Sequence, residues 1–171
     1  MQVHTPSFGE LEIPDDAVLT FSQGIFGFPE LRECCLLPYD PGSGLRWLQC
    51  LNDANLTFLT VEPHVLFPDY DVNLADSDAG LLGLSRAEDA AILTLVTISA
   101  GGRAVTTNLA APIIINIRTR EARQIILDDE RYLTRHMIGA KRVCDARADE
   151  STRPAATAAP QRESDDAELR P

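Results

Sequence analysis

The segment TNLAAPIIIN, residues 107–116, decides the fold class of this chain. Its three consecutive isoleucines follow Pro112, a residue that strands accept at their first position because it cannot donate a ladder hydrogen bond. In an extended strand Ile114 faces opposite to its two neighbours, so this run predicts a strand that is covered on both faces. Asn108 and Asn116 bracket the run, and their amides can form hydrogen bonds with turn backbone or pair across a barrel.

Short apolar runs of the same kind recur along the chain. Turn-forming sequences separate them, such as SFG at 7–9, DPGSG at 40–44 and AGG at 100–102. The predicted strands are residues 10–13, 18–21, 34–37, 45–50, 56–61, 91–98, 104–107, 113–117 and 124–127. Because no β-α-β rhythm is present, they predict a mostly β fold, either a sandwich or a small closed or partly open antiparallel β-barrel-like domain.

Helical signals are few, and we expect one to three short helices. Ser77 or Asp78 could cap a helix that runs to residue 84. Residues 85–88, SRAE, have the spacing of a capping box. A last helix over 129–138 lacks a clean apolar stripe.

Size and charge limit the classes of function. The 171 residues suit one domain, and composition changes after Cys144. Residues 1–144 are predicted to form the β-rich binding domain. Residues 145–171, rich in Ala, Pro, Asp and Glu, predict a disordered acidic tail. The formal net charge of −11, of which about −8 belongs to residues 1–144, argues against direct nucleic-acid binding.

The chain carries no motif of export or membrane insertion. The N-terminal residues lack a basic start followed by an apolar run, and the longest apolar stretch is far shorter than the ~20 residues of a membrane span. We therefore expect a cytoplasmic protein that does not bind membranes. In that compartment the four cysteines are expected to be reduced thiols. Cys34 and Cys35 are adjacent, so in a strand they point to opposite faces.

Motifs of catalysis, metal binding and cofactor binding are missing from the sequence. It has no nucleophile elbow, phosphate-binding loop, zinc-protease motif or dinucleotide fingerprint, so we predict no catalytic residue, metal or cofactor. The enzyme alternative is a small hydrolase that uses His64 with Asp69 or Asp71. Another alternative is an unassigned acidic β-domain that acts as a protein-interaction module.

Two further segments stand out as structural or binding elements. The first, GIFGFP, includes Gly24, Gly27, Phe28 and Pro29, and packs three apolar side chains among residues that favour turns. This composition predicts a turn folded back on the core, with a binding surface as the alternative. The second, residues 62–71, carries two aromatic side chains among prolines and acids, a composition typical of interaction hot spots.

The second segment supplies most of the predicted partner-binding residues. These are Phe67, Asp69, Tyr70 and Asp71, together with Gln49 and Asn52 on a neighbouring strand end. Burial of Phe67 under the loop is an alternative. For Gln49 and Asn52 the alternative is that they only satisfy turn backbone.

At these same positions the sequence resembles the bacterial flagellar assembly factor FliW family. The resemblance covers most of residues 1–144 and excludes the tail, and its strength comes from the order and spacing of its motifs. Cys50 is a mild departure, since the family often has serine there. The matching motifs are Phe8-Gly9, Gly24-x-x-Gly27-Phe28-Pro29, Leu36-Leu37-Pro38-Tyr39, Leu48-Gln49, Pro63 with Asp69-Tyr70-Asp71, Thr107-Asn108-Leu109-x-Ala111-Pro112-Ile113 and residues 124–127.

The resemblance implies a small, barrel-like protein without catalytic activity and with two partners. One is flagellin, the filament subunit, and the other is the dimeric, RNA-binding translational regulator CsrA. In that scheme, flagellin occupies the factor while it is plentiful. When flagellin is exported, the factor captures CsrA, which relieves repression of flagellin mRNA translation.

Overall fold

The computed structural model describes residues 1–39, 42–99 and 104–138 of the chain. The predicted tail, 145–171, lies outside these residues. The described part contains eleven strands, two α-helices and the 3-10 turns Asp15–Ala17 and Ala87–Asp89. The strands are β1 (Gln2–Thr5), β2 (Gly9–Glu12), β3 (Val18–Phe21), β4 (Glu33–Pro38), β5 (Leu45–Cys50), β6 (Thr57–Val61), β7 (Ala90–Ile98), β8 (Val105–Thr107), β9 (Ile113–Asn116), β10 (Glu121–Gln124) and β11 (His136–Ile138). The helices are α1 (Pro63–Leu66) and α2 (Asp76–Leu81).

Seven of the strands close into a barrel, which confirms the predicted fold class. Their order is β7-β6-β5-β4-β3-β10-β9, and a direct pairing of β9 with β7 closes the ring. All these pairs are antiparallel except β3 with β10, which run parallel. A closed ring with an odd number of strands cannot alternate in direction all the way round, so one pair must be parallel. Strands β1 and β2 form a separate hairpin.

The longest strand, β7, organises the closure. One of its edges pairs with β6, while the other pairs first with β9 and then with β8. Leu93 lies opposite Ile113, and Val96 lies opposite Thr107. Strands β8 and β9 therefore pair with the same edge of β7, and residues 108–112 between them loop out from that edge. The decisive 107–116 segment is therefore a strand, a bulged loop and a second strand along β7.

All four residues of β9 are buried, as the isoleucine run predicted. Ile113 and Ile115 point into the barrel, where they join the main core with Leu19, Phe21 and Leu48. Ile114 faces outwards and packs with Leu82 and Ile125 in a second apolar cluster. The predicted alternation of the isoleucines is confirmed.

The helix predictions were only partly right. A helix forms in the predicted region as α2, but it is not capped by Ser77 or Asp78, which lie inside it, because its N-cap residue is Ala75 and no side chain caps it. The capping box at 85–88 is also wrong, because the 3-10 turn there has no side-chain cap hydrogen bond. The predicted helix at 129–138 is wrong. Instead β11 pairs with β8 and buries Ile138 against Val105, so an available strand edge outweighs a weak helical pattern.

Asn116 ties the end of β9 to its surroundings. Its amide nitrogen donates to the carbonyls of Leu82 and Gly83, at 2.9 and 3.1 Å, and its amide oxygen accepts from the backbone N–H groups of Arg118 and Thr119. Asn108 caps the bulged loop in a similar way by accepting from the N–H of Ala111. The predicted tying of turn backbone by these asparagines is confirmed.

The Gly24–Pro29 turn folds Ile25 and Phe28 onto the core as predicted, whereas the third apolar side chain, Phe26, is 52% exposed. Ile25 is buried, and the ring of Phe28 meets that of Phe58 edge to face at 5.4 Å between centroids. Gly24 has φ +73°, and a Cβ there would lie 2.6 Å from the carbonyl oxygen of Phe28. Gly27 also has positive φ, +87°, but a Cβ there would meet nothing within 4 Å.

This difference predicts unequal costs for two alanine substitutions. Gly24→Ala adds both left-handed strain and a clash with rigid backbone, and we expect it to lower the free energy of unfolding by about 3 kcal/mol or more. Gly27→Ala adds the strain alone and should cost about 1–2 kcal/mol. Urea unfolding curves of the two variants measure the difference. Equal losses would show that the close approach to the Phe28 carbonyl does not matter.

Candidate protein-binding surface

The predicted binding loop, residues 67–71, follows α1 and is anchored by Tyr70. The side chain of Tyr70 is buried, and its hydroxyl donates a 2.8 Å hydrogen bond to the carbonyl of Leu109 in the bulged loop. Burial raises the pKa of Tyr70 above its ordinary range, with a smaller contribution from the neighbouring Tyr132. Tyr70 therefore positions the loop and is not itself a surface residue.

Residues 132–136 hold the loop from its other side. The rings of Tyr70 and Tyr132 lie 4.6 Å apart, and the N–H of Asp71 donates a 2.8 Å hydrogen bond to the Tyr132 hydroxyl. Phe67 is half-buried and meets the ring of His136 edge to face at 4.9 Å. The loop is thus fixed in place by aromatic contacts before any partner arrives.

The contacts bring two acidic stretches together. Residues 67–71 contribute Asp69 and Asp71, both exposed, and residues 128–132 lie beside them through the Tyr132 contacts. We call the carboxylates of these stretches, with Arg131, the acidic surface. Its members are Asp69, Asp71, Asp128, Asp129 and Glu130, against the one guanidinium of Arg131.

Arg131 organises the second stretch. Its guanidinium donates hydrogen bonds to both carboxylate oxygens of Asp129 and so lowers the pKa of that carboxyl. Asp129 and, more weakly, Asp71 raise the pKa of Arg131 in return. Because the pair is exposed, we assign it little stability, but it leaves Asp69, Asp71, Asp128 and Glu130 without a strong local counter-charge among the described contacts.

Gln49 and Asn52 brace the turn between β5 and β6. Gln49 is fully buried, and its amide nitrogen donates to the carbonyls of Cys50, Ala54 and Leu56. Its amide oxygen accepts from the hydroxyl of Thr57. The exposed Asn52 accepts from the N–H groups of Arg32 and Glu33, at 2.9 and 2.7 Å. Both residues satisfy turn backbone, which was the alternative to partner binding.

The structure does not bring these two residues to the 67–71 loop. Gln49 pairs with Thr57 at one end of the β5–β6 ladder, whereas Leu45 pairs with Val61 at the other end, from which α1 leads into the loop. Four residue steps along a strand separate the two ends by about 13 Å. Gln49 and Asn52 therefore belong to a different region from the acidic surface, and their role in binding stays a prediction.

The structure gives the hydrolase alternative no support. His64 is exposed and its ring contact is with Tyr70, at 6.0 Å. The hydrogen bonds of the described residues include none between His64 and either Asp69 or Asp71. Within 1–39, 42–99 and 104–138, no three His, Cys, Asp or Glu side chains are grouped to hold a metal ion. No helix in the described part is long and apolar enough to cross a membrane.

Arg131, Tyr132 and His136 complete this region, although none of them is among the predicted binding residues. They were assigned to a helix, so their contacts with the loop could not be anticipated. Tyr132, Thr134 and His136 alternate with charged or apolar neighbours, and such alternation indicates an extended strand. The stretch is too short for this pattern to outweigh the helical interpretation.

The buried Tyr70 phenol predicts a loss of stability at high pH. In the unfolded chain the phenol ionises from about pH 10, whereas the folded protein holds it neutral. Its contribution to the free energy of unfolding is therefore complete below about pH 10 and is lost as the pH rises further. Tyr70→Phe should cost about 1 kcal/mol at neutral pH and make the alkaline decline shallower. Urea unfolding between about pH 7 and 11 gives the free energy of unfolding against pH for the unaltered protein and for Tyr70→Phe. If both decline with the same slope above pH 10 (roughly), the buried phenol is not the cause.

Comparison with known proteins places the chain in one family. The family model described as FliW protein matches residues 2–138. The "Flagellar assembly factor FliW" of Bacillus subtilis is 34% identical over 141 residues, which cover 82% of this chain and 99% of that protein. The protein of the same name from Moorella thermoacetica is 40% identical over 139 residues, covering 81% of this chain and 88% of that protein.

A solved structure agrees with these relatives. The structure described as "Crystal structure of the flagellar assembly factor FliW" superposes with a TM-score of 0.73 at 32% identity and covers 80% of this chain and 96% of that one. The residues 2–138 that the family model matches include the whole barrel, the bulged loop and the acidic surface. The chain therefore belongs to the FliW family of flagellar assembly factors, as its motifs predicted.

Proposed function

We propose that this protein is a non-catalytic cytoplasmic regulator that binds flagellin and, when free of it, binds and antagonises the translational regulator CsrA. The binding of CsrA relieves repression of flagellin mRNA translation. The observation that carries the proposal is family membership over residues 2–138, which supports a role in flagellar assembly.

The charge of the protein supports a basic partner. Residues 1–144 carry about −8, and the acidic surface presents five carboxylates against Arg131. A protein that grips RNA must be basic where it contacts phosphate. The acidic surface would steer such a partner by long-range attraction and would repel RNA once docked.

The fixed conformation of the 67–71 loop also supports the acidic surface as the place where CsrA binds. Tyr70, Phe67 and the N–H of Asp71 are all held by contacts within the protein, so little loop entropy is lost on binding. Asp69 and Asp71 point to solvent from this fixed loop. A rigid acidic loop favours recognition by charge and shape, without a need for catalysis.

Neutralising the loop tests the surface without touching its anchor. In Asp69→Asn with Asp71→Asn, two exposed charges are lost while Tyr70 stays in place, so thermal stability should be nearly unchanged. We expect affinity for CsrA to fall about tenfold at low salt, mainly through a slower association rate. Stopped-flow association and equilibrium titration measure the two quantities.

The matched control removes the same charge from a separate hairpin. Glu10→Gln with Glu12→Gln changes two exposed acids on β2 and should weaken binding far less. Equal effects of the two double variants would mean that net charge alone is recognised. No effect of either would place the CsrA site elsewhere.

A salt series tests how RNA is displaced. If carboxylates of this protein compete with phosphate, its antagonism of RNA binding by CsrA should weaken steadily as the salt concentration rises. The measurement is the RNA affinity of CsrA with and without this protein at each salt concentration. Antagonism that does not change with salt would reject the charge mechanism while leaving the partner assignment standing.

A further inference from the structure

Two cysteines face each other inside the barrel. Cys34 on β4 and Cys50 on β5 are opposite each other in the antiparallel register. Their Sγ atoms lie 3.6 Å apart, and both side chains are fully buried in the main core. Neither thiol is used by the surface described above, so the pair needs an account of its own.

The backbone pattern places this pair at a site that a disulfide can bridge. The N–H of Leu51 donates to the carbonyl of Glu33, which makes the adjacent pair a hydrogen-bonded one. The N–H of Cys50 points to the other neighbour and donates to Leu56 on the β6 side. Cys34 and Cys50 therefore form a non-hydrogen-bonded pair, in which Cα atoms are about 4.5 Å apart and side chains approach closely. That separation lies within the range of about 4.4–6.8 Å that disulfides span.

The remaining described cysteine cannot compete for either partner. Cys35 lies opposite Gln49 and points to the other face of the sheet. It is buried there, and burial raises its pKa to about 11. The geometry thus selects one pairing among the three cysteines of the described residues.

We propose that Cys34 and Cys50 form a reversible cross-strand disulfide when the protein meets a peroxide. Peroxide oxidises one thiol to a sulfenic acid and releases one water. The second sulfur then attacks the first, the S–S bond forms and a second water leaves. Two thiols and one hydrogen peroxide therefore give one disulfide and two waters. A dithiol reductant returns both thiols.

Burial sets the speed of this reaction. The hydrogen bond to the Cys50 sulfur and, next, desolvation raise the pKa of Cys34, so the reactive thiolate is scarce in the folded state. Peroxide reaches the pair only when the β4–β5 ladder opens locally. The rate should therefore level off at high peroxide, where opening becomes limiting. The disulfide therefore forms during sustained exposure to peroxide and not during a brief one.

The bond would fasten the end of the β4–β5 ladder. The Cys34–Cys50 pair lies next to Glu33 and Leu51 and beside the turn that Gln49 and Asn52 brace. A link here closes a loop of 16 sequence positions and reduces the freedom of the unfolded chain. The oxidised protein should consequently melt about 4 °C or more above the reduced one.

The test uses the full chain with Cys35→Ser and Cys144→Ser, which leaves only the proposed pair. After treatment with hydrogen peroxide, intact mass under non-reducing conditions should fall by two hydrogens. Proteolytic mapping should join the peptides of Cys34 and Cys50, and dithiothreitol should restore the mass and the melting temperature. Adding Cys50→Ala to the same background is the control, and it should give a sulfenic acid or higher oxide without the loss of two hydrogens.

Three outcomes would overturn the proposal. They are two free thiols on alkylation in denaturant after prolonged peroxide treatment, oxygen added to sulfur without an internal bond, and a bond that forms only between two chains. If the Cys50→Ala control fails to fold, the mass and peptide map of the pair-only protein still decide. The outcome does not depend on the identity of the binding partners.

Discussion

Burial of β9 on both faces is the constraint on which the rest of the structure depends. Ile113 and Ile115 need the barrel interior, and Ile114 needs cover from outside, so β9 can lie only where a closed sheet meets an outer apolar layer. Strand β7 supplies its edge, and Leu82 and Ile125 supply the cover over Ile114. The closed ring leaves no unpaired edge among the seven barrel strands, which protects an apolar sheet from joining other chains.

Amide side chains hold the connections between these strands. Asn116, Asn108, Gln49 and Gln124 each satisfy backbone groups of a turn or loop that lies close to the core. An amide suits this task because it carries both donors and an acceptor, and so can serve N–H and C=O groups at once. A buried turn without such partners would leave its polar groups unsatisfied at a cost of about 1–3 kcal/mol each.

The sequence predicted most of the strands and a barrel-like fold, but not the strand pairings that close the ring. Apolar runs with turn residues between them located eight of the nine predicted strands closely, and the last, predicted at 124–127, lies at Glu121–Gln124. Strands β1 and β11 were not predicted. The three residues of β11 gain their structure from pairing with β8, which no local pattern records. The same holds for the 67–71 loop. Its acids and aromatics were visible in the sequence, whereas burial of Tyr70 depends on Leu109, thirty-nine residues away.

The parallel pairing of β3 with β10 has a consequence for how the protein is made. It joins Thr20 to Glu121, about a hundred residues apart, and no earlier strand can take the place of β10. During synthesis the ring stays open until β10 has left the ribosome. Of the two anchors of the 67–71 loop, Leu109 leaves before β10 and Tyr132 after it. A growing chain therefore cannot present the finished acidic surface until the residues that anchor it have been made.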